Sequence, residues 1–230
     1  MANHLDLEEQ EQLDQIKHFW NQYGNLISWV VIAVFGAIAG WNGWQYWQRT
    51  QAAQAATLYD EVDRAAQVGD MTRVDRAFND IKDKFGRTTY AQQAGLLAAK
   101  AFVDKGTIEG AKGALSWVAD KASDEGLQAT ARLRLASVLL EAKDYDGALK
   151  QVSGDFPKAY EALVADRRGD ALKAQGKNDA AKAEYVKAYK AIDEHTDYRR
   201  LIEVKLASLG VDVQTLAPAP AAAASATAKS

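Results

Sequence analysis

The chain has 230 residues, 48% of them hydrophobic, with 28 Lys and Arg against 31 Asp and Glu, 3 His, 3 Pro and no Cys. Such a length fits one or two domains, and such a hydrophobic share fits a globular chain. Zero Cys excludes disulfides, thiolate metal sites and a cysteine nucleophile, and a net charge of −3 leaves no basic field for nucleic acid.

The mean hydropathy of −0.32 averages over a very uneven chain. Residues 1–25 form a leader with Asp6, Glu8, Glu9, Glu11 and Asp14 against the single Lys17. Within it Leu13, Ile16, Phe19 and Trp20 recur at helical spacing, which predicts an amphipathic helix over Leu5–Tyr23, with a bend at Gly24. From His18 to Gln48 no residue carries a formal charge, and five of the 6 Trp fall there. Trp20 and Tyr23 precede the apolar run, and Trp41, Trp44, Tyr46 and Trp47 follow it. Two aromatic belts around an apolar stretch predict one transmembrane helix over 26–47. Tyr23 to Trp44 covers about 31 Å at ~1.5 Å per residue, close to the hydrocarbon thickness. The acidic leader and the bulky residues after the apolar run argue against a cleaved signal peptide. Lys17 on one side and Arg49 on the other leave the orientation undecided by charge. Gly36 and Gly40 form a GxxxG spacing at which a second membrane helix can approach closely.

From Arg49 onward, 27 Lys and Arg face 26 Asp and Glu, an interspersed and solvated surface. Alternating Val/Ile/Thr runs are missing, and Ala, Leu, Lys, Gln and Glu dominate, so the fold class is all-α. Breaks are expected near Gly69-Asp70, Gly86, Gly106, Ser123-Asp124, Lys143-Asp144, Gly154 to Pro157, Gly176 and Thr196. The breaks carry a repeat. Ala136, Leu139, Lys143-Asp144 and Ala148 make one copy; Gly169, Leu172, Gly176, Ala181, Tyr185 and Ala188 make the next. A small residue, a large one three on, a polar turn and an Ala twelve on is the tetratricopeptide pattern, in which small residues let two helices cross closely. Looser copies hold Ala99, Phe102, Gly106, Ala111 and Leu115, and before them Gly69, Val74, Phe78 and Ile81. Val74, Ala111, Ala148 and Ala181 are then equivalent, 37, 37 and 33 residues apart. A tetratricopeptide-like helical repeat domain is therefore expected over 48–213. The Ala/Pro-rich segment 214–230 reads as a disordered tail.

No catalytic, metal or cofactor motif is found: the three His lie far apart, and HExxH, GxxxxGK[ST], GxGxxG and GxSxG are missing. The run Asp166-Arg167-Arg168-Gly169-Asp170 puts two carboxylates on one helix face, where salt bridging with Arg167, Arg168 or neighbouring helices outweighs acid–base work. The chain is accordingly read as no enzyme, with no cofactor and no small-molecule substrate. What remains is a groove for protein partners, lined by the first helix of each hairpin. Its candidates are Leu96, Lys100 and Val103, then Leu133, Ser137 and Leu140, then Asp166, Asp170 and Lys173. The same groove could instead hold the chain's own segment Gln51 to Val68.

The order of Gln15 to Trp20, Tyr23-Gly24, Gly40-Trp41 and Tyr46-Trp47 resembles the start of the YfgM family of bacterial inner-membrane proteins. Asp124 to Leu127, Leu133 to Ala136 and Leu163 to Leu172 resemble later stretches of that family, so that the likeness covers about residues 8–210. The resemblance implies a single-pass inner-membrane protein with a cytoplasmic N-terminus and a periplasmic repeat domain. It further implies an ancillary subunit of the SecYEG translocon that works with the periplasmic chaperone PpiD in handing over envelope proteins, and a link to envelope-stress regulation. The alternative is an envelope-assembly or stress-signalling adaptor unconnected with secretion.

Overall fold

The computed structural model describes residues 7–216, with side chains from residue 11 onward. Two compact units divide at Ala53 and Gln54. Residues 217–230, most of the expected tail, lie outside the described residues, as do the first six of the leader.

The first unit is helical throughout its described length, as part of α1 (Leu7–Val68). The helix is continuous through Gly24, where a bend is expected. Gly24 instead gives room to Trp20, whose indole lies 3.2 Å from where a Cβ would stand. A lone Gly lowers helix propensity by about 1 kcal/mol without breaking the backbone hydrogen bonds, so the helix runs on. Leu26, Trp29, Val30, Ile32, Val34, Phe35, Ile38, Trp41 and Trp44 are all exposed, so this stretch buries almost nothing. By length and composition the helix can cross a membrane.

The second unit contains the rest of α1 and eight further helices among the described residues: α2 (Met71–Phe85), α3 (Thr89–Asp104), α4 (Ile108–Lys121), α5 (Glu125–Glu141), α6 (Tyr145–Gln151), α7 (Glu161–Ala174), α8 (Asn178–Ala191) and α9 (Tyr198–Ala207). No strand occurs among the described residues. All eight expected breaks fall between helices. Their causes are local. Asp70, Thr88, Asp124 and Asp144 each accept a backbone N–H three residues on and so start α2, α3, α5 and α6.

Four hairpins result: the end of α1 with α2, α3 with α4, α5 with α6, and α7 with α8. Each turns in the same way. Gly69, Gly106, Lys143 and Gly176 adopt left-handed φ of 74°, 72°, 61° and 76°. In each, the next residue's N–H reaches back to a carbonyl five residues earlier, as Asp144 does to Leu139 at 2.8 Å. Gly is at ease in this conformation, whereas Lys143 adopts it against its Cβ.

The repeat register is as read. Val74, Ala111, Ala148 and Ala181 are each fully buried on the second helix of their hairpin. Twelve residues before them stand Val62, Ala99, Ala136 and Gly169, all buried on the first helix. The first member of the earliest copy is thus Val62, inside the segment Gln51 to Val68, which therefore belongs to the first hairpin. Ala55, Val62 and Ala65 join the core, and Glu61 pairs with Arg73 of α2 at 3.4 Å. Close crossing demands small residues in places: a Cβ at Gly95 would stand 2.5 Å from Val118, and one at Gly169 2.5 Å from the Tyr185 ring. Successive hairpins pack through α2 on α3, α4 on α5 and α6 on α7. One core runs from Ala55 to Ala171, and a second gathers Ala165, Ala181, Tyr185, Ala188, Tyr189, Ile202, Leu206 and Val211.

Candidate protein-interaction site

The nine groove candidates all lie on first helices, three each on α3, α5 and α7. Their surroundings differ. Lys100 is exposed and pairs with Asp104 of its own helix at 2.9 Å. Leu96, Val103 and Leu140 are half-buried against the core, and Leu133 is 9% exposed. The Ser137 hydroxyl donates to the Leu133 carbonyl one turn back. Leu96 and Leu133 thus serve packing, since α3 meets α5 and α5 meets α7.

Asp166 occupies the register position of Leu96 and Leu133 in the last hairpin, and it is completely buried. A buried carboxylate needs partners. Those partners come from α9, which lies on the face expected to be open. Lys205 Nζ donates to both Asp166 oxygens at 2.8 Å, and the Tyr198 hydroxyl donates to Oδ2 at 2.7 Å. Lys205 also reaches Asp170 Oδ1 at 2.7 Å. Asp170 further accepts from Tyr185 at 2.8 Å and from Arg167 at 2.9 Å. Lys173 Nζ donates to Ser208 Oγ, just past α9, at 2.7 Å. The open-groove expectation is therefore corrected for Asp166 and Asp170, which the chain's own C-terminal helix engages, whereas Lys173 stays exposed. Salt bridging by Asp170 with Arg167 and a neighbouring helix is as read, but Arg168 does something else and donates to the Val152 carbonyl at 2.7 Å.

Burial, followed by the hydrogen bond to Asp170, pushes the Tyr185 hydroxyl far above its ordinary value; burial and Asp166 do the same to Tyr198. Both stay protonated as donors.

A second polar brace holds the loop between α6 and α7. The Arg132 guanidinium donates to the Gln151 carbonyl at 2.9 Å, to Asp155 at 3.1 Å and to Ser153, and it stacks 3.9 Å from the Phe156 ring centroid. Sequence reasoning passed over both Arg132 and Lys205. Their partners are 19 to 39 residues away, and no local spacing marks them.

In the first unit Gly36 and Gly40 are exposed, and so is Gly43; open space lies where each Cβ would stand. At 3.6 residues per turn these three share a face with Asn25, Ser28, Trp29, Ile32 and Trp47, opposite Ile27, Val30, Val34, Ile38 and Trp41. No group of three or more His, Asp or Glu that could hold a metal ion occurs among the described residues.

The family of tetratricopeptide repeat-like domains matches residues 17–211. An ancillary SecYEG translocon subunit of Neisseria gonorrhoeae is 31% identical over 210 residues, covering 91% of this chain and all of that protein. The ancillary SecYEG translocon subunit of Escherichia coli is 30% identical over 88% of this chain and 97% of its own length. That of Aggregatibacter actinomycetemcomitans is 28% identical over 88% and 98%.

Proposed function

The chain belongs to the tetratricopeptide repeat-like family that includes the ancillary SecYEG translocon subunits, the YfgM family, and on that premise we propose a membrane-anchored adaptor at the Sec translocon. The observation that carries this reading is an uncovered apolar helix at the head of a repeat array, in a chain that aligns with those relatives over 91% and 88% of its length.

The segment 26–47 is the single inner-membrane span, the leader is cytoplasmic, and the repeat domain is periplasmic. The face with Gly36, Gly40 and Gly43 meets a membrane helix of the translocon, while the face with Val30, Val34 and Ile38 meets lipid. Asn25 and Ser28 offer hydrogen bonds on the same side. The repeats hold protein partners, including a periplasmic chaperone, and so bring emerging envelope proteins and their chaperone together. Lys100, Val103, Ser137, Leu140 and Lys173 are the groove positions left available to a partner. The adaptor role is non-catalytic.

Co-purification of the full chain in mild detergent tests this. SecYEG and chaperone subunits are expected in the eluate; their absence, with the anchor intact, overturns the reading. A reporter active only in the periplasm, fused after Val213, is expected to be active, and silence there refutes the orientation.

A further inference from the structure

We propose that α9 is a displaceable strap over the last hairpin, and that the face beneath it receives a helix of a protein partner bearing one basic side chain flanked by apolar ones. The inference rests on the adaptor reading only in taking the partner to be a protein.

The register argues for it first. At one position of successive first helices stand Leu96, Leu133 and Asp166. The first two are met by the following first helix. The third is met by α9 and by Lys205. An interface that is apolar within the array becomes ionic at its end. Buried ion pairs select partners by geometry and charge, and they stabilise no better than apolar packing.

The inventory of α9 points the same way. It has 10 residues and no side-chain cap at its N-terminus, and only Ile202 and Leu206 among its residues are buried. A helix this short does not persist in water without its docking surface. Its contacts belong to the second core, which it shares only with the last hairpin, whereas the first core runs through the three before it. Leu201 and Val204 face outward at 45% and 67% exposure, although the outer face of an end helix is ordinarily polar.

The chemistry of the uncovered face then names the replacement. When α9 leaves, Arg167 still neutralises Asp170, whereas Asp166 loses all three bonds from Lys205 and Tyr198. A single ammonium or guanidinium restores the balance, and Ala165 and Tyr185 beside it accept apolar contacts. A second copy's α9 is a poor occupant, because it offers no contact that the tethered α9 does not already make at far higher effective concentration. A partner helix longer than α9 adds contacts at Ser137 and Leu140 on α5.

Hydrogen exchange on the full chain in detergent micelles tests the strap without any translocon. Amides of 198–207 are expected to exchange at least tenfold faster than those of 161–174; equal protection overturns the proposal. The variant D166L/K205L, which restores the apolar pattern, should bring α9 to the protection of α7. If α9 exchanges as before in that variant, the ionic interface is not what makes it removable, and the proposal fails. A labelled peptide of residues 193–216 should bind the full-length Lys205→Ala chain at least tenfold more tightly than wild type. The same peptide carrying Lys205→Ala should lose that gain. Equal binding by both peptides overturns the basic-helix requirement, and dimers formed by exchange of α9 overturn the partner assignment. Loss of translocon co-purification alone touches none of these readouts.

Discussion

Lys205 Nζ on α9 lies 2.8 Å from both carboxylate oxygens of Asp166 on α7, and Asp166 has no exposed surface. The pair is 39 residues apart in sequence and joins the C-terminal helix to the last hairpin. Removing one partner strands a buried charge, so Lys205→Ala should destabilise that end of the domain by about 3–5 kcal/mol. D166L/K205L, which removes both charges, should be more stable than wild type by about 1–4 kcal/mol. Urea unfolding followed by helical circular dichroism measures the difference.

Lys143 is the single non-Gly residue with positive φ among the described residues, and its three counterparts are Gly. Lys143→Gly should therefore stabilise the domain by about 1 kcal/mol, and Gly176→Ala should cost about as much. Thermal unfolding of the two variants should move in opposite directions. Equal shifts would show that turn strain is not the cause.

Gly169 sits where α7 and α8 cross, with the Tyr185 ring 2.5 Å from a would-be Cβ. Gly169→Ala should cost about 1–3 kcal/mol through overpacking, despite the better helix propensity of Ala. Gly113, which faces open space on α4, is the matched control, and Gly113→Ala should stabilise slightly.

Tyr185 and Tyr198 both have hydroxyls raised above their ordinary value of 10.0 by burial and by carboxylate acceptors. Below pH 10 both groups are protonated in the folded and unfolded chains, and stability is complete. Above it the unfolded chain releases protons that the folded chain retains. Stability should then fall as pH rises, by at most about 1.4 kcal/mol per pH unit for each hydroxyl and less where solvent screens it. Tyr198→Phe should remove one share of that slope in denaturation curves between pH 9 and 11.

Gly36→Leu with Gly40→Leu should reduce translocon co-purification severalfold and leave the melting of the repeats unchanged. Undiminished recovery would remove these glycines from the contact.

The hairpins were legible because their causes are short-range. Capping residues such as Asp70 and Asp144 start helices within three residues, left-handed turn residues end them, and the twelve-residue step from Ala99 to Ala111 or from Gly169 to Ala181 stays inside one hairpin. The uncharged stretch from His18 to Gln48 was equally plain, since it needs only composition to be read. Three things were decided only in three dimensions. Helix α1 continues past Gly24 because intact backbone bonds outweigh one weak residue. Val62 completes the first repeat because α2 folds back onto α1. Asp166 lies beneath α9 because a carboxylate taken out of water must find a cation, and Lys205, 39 residues on, is the one the fold brings there.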